Sequence, residues 1–130
     1  MALQSGGIDL ISSHLGEVQA HFTGASIEPT PDGQRLLVVP DLRLPQGWSN
    51  DLTTLRALVP VGFPHVQPDT FYTDPDLRLA NGAEPINTAV QDVFGAQYRW
   101  FSYHLASWDP RSGSLIQYVR FCYRRLCEVR

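Results

Sequence analysis

Apolar residues return at three- and four-residue steps from Ile8 to Phe22 (Ile8, Ile11, Leu15, Val18, Phe22), the spacing of one face of an amphipathic helix. Gly16 interrupts that helix without ending it, and Gly24 closes it. His14 and His21 fall outside the stripe and are expected in solvent. The period then shortens. Ala25–Glu28 and Arg35–Val39 flank Pro31-Asp-Gly33, where proline presets one turn dihedral and glycine accepts positive φ, so the pair reads as a hairpin. Asp41–Leu44 extends its second strand beyond Pro40. After the break at Pro45-Gln-Gly47, Leu55–Phe63 is the third strand, with Leu55, Ala57, Val59 and Val61 alternating on one side. Sequential hairpins of this kind make an antiparallel meander.

From Pro64 to about Val93 the pattern dissolves into Pro, Asp, Asn and Gly. So long an irregular stretch in a small domain is usually functional. Phe71, Tyr72, Leu77 and Leu79 are expected to pin it to the core, while Asp69, Asp74 and Asp76 beside prolines read as turn chemistry rather than a calcium loop. Tyr98–Leu105 is a short strand or an extended run. Ser112 or Ser114 caps a final helix whose buried stripe is Leu115, Val119, Cys122 and Leu126. The whole is an α+β domain spanning residues 1–130: N-terminal helix, antiparallel meander of about four strands, long ordered loop and C-terminal helix, with Met1–Gly7 as a loosely ordered leader.

Composition narrows the possibilities. The 130 residues suit one core, and no apolar run is long enough to cross a bilayer. With no basic-then-apolar pattern at the N-terminus, a cytoplasmic location is expected. The net charge of −3 does not favour nucleic acid. Arg120, Arg124, Arg125 and Arg130 cluster near the end of the last helix as dipole partners on a solvated face, with docking of an acidic partner as the minor reading. Cys122 and Cys127 are five positions apart, which suits two buried thiols in a reducing compartment rather than a disulfide or a zinc knuckle. No metal-ligand spacing, Gly-rich phosphate cradle or Gly-x-Ser-x-Gly elbow is found, so no cofactor or metal is expected.

Three segments carry the candidate chemistry: Phe63-Pro-His-Val-Gln-Pro68 with Tyr72 beyond it, Tyr98-Arg-Trp-Phe-Ser-Tyr-His104, and Trp108-Asp-Pro110 before the last helix. Their order resembles the ubiquitin-conjugating enzyme superfamily, over about Ile8 to Leu126. In that family the first segment reads Tyr-Pro-x-x-Pro-Pro with an aromatic residue shortly after, and a Trp-Ser-Pro corner precedes the second helix. The resemblance implies that Pro64 and Pro68 rigidify the loop, that one of them follows a cis peptide bond, and that Trp108 and Pro110 form the corner. His65 between the prolines is expected to be exposed.

The superfamily's cysteine between loop and tryptophan has no counterpart here. Phe101-Ser-Tyr-His104 instead resembles the Trp-Ser-x-His pattern of a bacterial branch called family E, which puts Ser102 in the cysteine's place. A serine hydroxyl needs a base and an oxyanion donor to accept an acyl group. An imidazole exchanges protons near neutral pH, so His104 is the candidate base. Two positions along a strand are roughly 7 Å apart, so a direct bond between the two needs a bent backbone or favourable rotamers. The His-Pro-Asn signature is absent; Asn81 and Asn87 in the long loop are the candidate amide donors, although Ala80-Asn-Gly82 also reads as a turn.

The resemblance implies conjugation of a ubiquitin-like modifier. The modifier would be received from an adenylating activating enzyme as an oxyester on Ser102 and passed to a target. It further implies a metallopeptidase that removes the modifier, often in an operon linked to phage defence. All ten basic residues are arginine, which suits a carrier of a reactive acyl group as well as a GC-rich genome. Two alternatives stay open: an inactive scaffold of the same fold that binds the modifier or the activating enzyme, and an unrelated α+β module whose prolines and aromatics line a peptide groove.

Overall fold

The structure, a computed structural model, describes residues 6–130, with side chains from Leu10 onward. Of the leader expected over Met1–Gly7, Gly6 and Gly7 belong to the first helix. The residues before them, and the Ile8 side chain, lie outside the described residues. Two helices, α1 (Gly6–His21) and α2 (Leu115–Leu126), share one core with a six-stranded antiparallel sheet. The strands are β1 (Ser26–Pro29), β2 (Arg35–Arg43), β3 (Leu52–Val59), β4 (Phe71–Thr73), β5 (Thr88–Val93) and β6 (Ala96–Phe101), in spatial order β1-β2-β3-β4-β6-β5. The α+β class is as expected from the sequence, and the meander carries more strands than the approximate four. Both extra strands, β4 and β5, lie inside the segment expected to be irregular.

Local chemistry accounts for the departures. Pro40 has no N–H to give a ladder, and the β2–β3 register shifts between Val39 and Leu42, with Asp41 at φ 54°. β2 thereby continues past Pro40. β3 starts at Leu52 and stops at Val59, because Pro60 and Gly62 (φ 95°) turn the chain; Leu55, Ala57 and Val59 are buried, while Val61 is left in solvent. The β5–β6 hairpin closes on Phe94 and Gly95, both at positive φ (52° and 87°), the geometry of a two-residue type I′ turn. Asp92 Oδ1 accepts the Gly95 N–H at 2.9 Å and holds it.

Leu115, Val119, Cys122 and Leu126 form the fully buried stripe of α2, and Trp48 Nε1 donates to the Leu126 carbonyl at 2.7 Å. Three assignments change. Arg125 is buried rather than on a solvated face: its guanidinium donates to the carbonyls of Ile86, Glu128 and Arg130 at 3.0, 2.8 and 3.0 Å. Those carbonyls compensate the loss of water around a cation. Cys127 is exposed, and only Cys122 is buried. His14 is buried too, because the start of α2 covers it.

His14 Nδ1 accepts the Leu115 N–H at 3.2 Å, and its ring meets Phe63 edge-on at 5.0 Å. Burial holds the imidazole below the ordinary histidine range, against an opposing pull from Glu17. The unfolded chain therefore takes up this proton first as pH falls below the ordinary value of about 6.5. The contribution of His14 is complete above that value and is lost as pH drops toward the depressed folded value. Urea denaturation at pH 7.5 and 5.5 should show a fall in midpoint that shrinks in His14→Gln. An unchanged pH dependence in that variant would count against the assignment.

Candidate active site

The proline loop is clamped before any reactive group is considered. Phe63–Pro64 is cis. Trp108 Nε1 donates to the Pro64 carbonyl at 2.6 Å, and its ring packs tilted against Phe63 at 5.9 Å. Pro68 is buried and His65 exposed. At the corner the Asp109 carbonyl accepts the N–H groups of Ser112 and Gly113 at 3.1 and 2.7 Å, with Pro110 in the turn. Ser114, not Ser112, caps α2 by accepting the Gln117 N–H at 3.2 Å. Gly113 lies under the Trp108 ring so closely that any Cβ would overlap it. Gly113→Ala should cost about 1–3 kcal/mol through the forced shift of the indole. A denaturation midpoint equal to that of the parent would remove the clamp from the account.

Ser102 is the first residue after β6. Its N–H donates to the Asn87 carbonyl at 2.9 Å, just before β5 begins, and Phe101 beside it is fully buried. The chain leaves the strand at Ser102, so of the stretch Tyr98–Leu105, expected as a short strand or an extended run, the part to Phe101 is strand. Ser102 Oγ and His104 Nε2 are 3.4 Å apart, so the pair is within reach although two positions separate the residues. The other imidazole nitrogen, Nδ1, is 2.8 Å from Asp69 Oδ1. In the neutral ring these contacts suit the tautomer that gives Nδ1–H to the carboxylate and turns the Nε2 lone pair to the serine hydroxyl.

Asp69 is the residue that the sequence reading passed over as turn chemistry. The pairing of β4 with β6 brings it to the site. Phe71 is opposite Phe101 in that register, so the residues just before β4 lie beside those just after β6. The two rings are stacked at 4.7 Å and are fully buried, which fixes the two segments against each other. The only sequence signal for this contact is an acidic residue placed between a rigid Pro68 and the core aromatic Phe71.

The two candidate amides separate. Asn87 is bonded to Ser102 through its carbonyl, and its residue is exposed at φ 58°. Asn81 serves its own turn: its Oδ1 accepts the Ala83 N–H at 2.9 Å, and Ala80 is tied to the Gly47 carbonyl at 2.8 Å. Neither cysteine joins the Asp69–His104–Ser102 chain of contacts, and burial pushes the Cys122 thiol well up, away from the reactive thiolate. Among the described residues no group of three or more His, Cys, Asp or Glu could hold a metal ion, and no helix is long and apolar enough to cross a membrane. A cleft of about 340 Å³ opens beside Asp69, lined by Leu58, Pro60, Val66, Thr70 and Tyr72.

A helix–sheet–helix domain with a clamped proline loop, a hydroxyl–imidazole pair after the last strand and a Trp-x-Pro corner has the parts of a ubiquitin-conjugating-like protein. The family model of prokaryotic E2 family E matches residues 7–128, and the chain belongs to that family. It is therefore a bacterial E2-like protein of ubiquitin-like conjugation, whose general partners are a modifier and an activating enzyme. Neither the curated proteins nor the solved structures hold a significant match.

Proposed function

We propose that the chain accepts the activated C-terminal carboxyl of a ubiquitin-like modifier as an oxyester on Ser102 and transfers it to a target. The observation that carries this reading is the 3.4 Å approach of Ser102 Oγ to His104 Nε2, and the resemblance to the superfamily, which implies Ser102 in the place of its cysteine, supports it. Ser102 Oγ attacks the carbonyl of the modifier's activated C-terminus, and its proton passes to His104 Nε2. The bond to the activating enzyme's leaving group breaks, and that group leaves with the electron pair and takes the proton from His104, which is again a free base. In the second half, an acceptor nucleophile attacks the ester while His104 takes its proton and returns one to Ser102 Oγ. The Asn87 amide steadies the oxyanion in both halves. No cofactor is needed in this chain, since the activating enzyme spends the ATP.

The resemblance also supports a metallopeptidase that removes the modifier, an operon linked to phage defence, and work in the cytoplasm with no nucleic acid or membrane partner. The test mixes the protein with the modifier and activating enzyme encoded beside it, adds ATP, and maps any adduct by mass spectrometry with and without thiol reductant. A reductant-resistant, base-labile adduct on Ser102 is expected. An adduct on Cys127 would overturn the site, and tight partner binding with no adduct would make the chain a scaffold.

A further inference from the structure

We infer that Asp69, His104 and Ser102 act together as a serine-hydrolase-type triad, which gives the chain an esterase activity of its own toward small activated carboxylic esters. Water is then an acceptor, and neither modifier nor activating enzyme is required. In this activity Ser102 and His104 are the catalytic residues and Asp69 is the positioning residue.

The arrangement supplies the base and the positioning group that such a serine needs. A nucleophilic hydroxyl needs a base within reach, and the base needs a third group that fixes its tautomer. Asp69 Oδ1 at 2.8 Å from Nδ1 supplies that third group. The 3.4 Å separation on the Ser102 side is long for a hydrogen bond, as serine–histidine pairs commonly are before substrate tightens them. The supports are independent of the reacting groups. Phe71, two residues after Asp69, stacks on Phe101, the residue before Ser102, and the Ser102 amide is held by the Asn87 carbonyl. The imidazole and carboxylate side chains keep 52% and 78% of their exposure, so a small substrate meets them without any opening of the fold. The cleft that Asp69 itself lines, with Gln34, Gln67 and Thr70 beside Leu58, Pro60, Val66 and Tyr72, adjoins the triad at its carboxylate end; Ser102 and His104 are not among its walls.

The chemistry balances without a further reactant. Ser102 Oγ adds to the ester carbonyl as its proton moves to His104 Nε2. The C–O bond to the leaving alcohol breaks, and the alcohol departs with the proton from His104. Water then adds to the acyl-serine and gives a proton to His104. The acid is released as the Ser102 Oγ–C bond breaks and His104 reprotonates Oγ. Asp69 gives up no proton; it keeps Nδ1 protonated and balances the positive imidazolium while it exists. This activity goes beyond conjugation, and it also predicts loss of modifier from the oxyester whenever no acceptor is present.

The test is labelling of the full chain by a fluorophosphonate probe, which forms an O–P bond with loss of fluoride, together with turnover of p-nitrophenyl acetate and butyrate across pH. Labelling should map to Ser102, and Ser102→Ala should abolish both signals. His104→Ala should lose at least about a hundredfold. Asp69→Asn should lose about ten- to a hundredfold, less than in a buried triad because water screens an exposed carboxylate. Its thermal midpoint and its KM should be unchanged, so that the loss falls on kcat. An unlabelled Ser102 in the folded protein, or an Asp69→Asn variant with the parent's kcat, would overturn the triad. The two readings fail separately: a labelled Ser102 that never accepts modifier ends the conjugation proposal alone, whereas a modifier adduct on a serine blind to the probe ends this one alone.

Discussion

Ser102→Cys should convert the modifier adduct from a base-labile, reductant-resistant oxyester to a thioester cleaved by thiol reductant, and Ser102→Ala should reduce adduct by at least about a thousandfold. Both variants keep the local structure. Among the described residues the serine hydroxyl has His104 as its hydrogen-bond partner, and the anchoring bond to the Asn87 carbonyl is made by the backbone N–H. A thiol at this position is more easily ionised than a hydroxyl and depends less on its base. His104→Ala should therefore cripple the serine form far more than the cysteine form. The comparison is read from adduct yields by mass spectrometry in four proteins: parent, Ser102→Cys, and each combined with His104→Ala. Equal sensitivity of serine and cysteine forms to loss of His104 would show that the imidazole supports folding or partner binding and not the hydroxyl.

Phe101→Ala should lower stability by about 3–5 kcal/mol, the usual cost of emptying a buried aromatic site. For a domain of this size that is a fall in thermal midpoint of roughly 10–20 °C. Three contacts go with the ring: the stack on Phe71 at 4.7 Å, the edge contact with Trp48 at 6.5 Å, and the Arg125 guanidinium 5.1 Å from its centre. The fully buried position lets little water in to compensate. Phe101→Leu, which keeps most of the volume, should cost under half as much. A loss below about 1 kcal/mol for the alanine variant would mean that the site collapses onto the hole, contrary to the rigid β4–β6 pairing described above.

What could be read from the chain follows signal strength. The stripes of α1 and α2 repeat over several turns, and the alternation in β3 is strong, so their type and inward faces were legible. The Trp108-Asp-Pro110 corner and the Ser102–His104 spacing were legible because they are local. β4 was hidden because three residues are too few to show a period. The β5–β6 hairpin was hidden because Phe94 occupies a positive-φ turn position where asparagine or glycine is the usual sign. His14 looked solvent-facing from its place off the stripe, since nothing in α1 announces that α2 begins over it. Asp69 was missed for the same reason at longer range. It meets His104 across 35 residues only because the pairing of β4 with β6 folds them together.

Arg125 gives the site a mechanical dependence that no reacting group reveals. Its guanidinium holds the carbonyl of Ile86, the residue before Asn87, and Asn87 in turn holds the amide of Ser102. The last turns of α2 and Ser102 are thus successive links of one chain of bonds, running through a buried cation. Unwinding of that helix end removes the Arg125–Ile86 bond, and so couples the helix to the segment that holds the Ser102 amide.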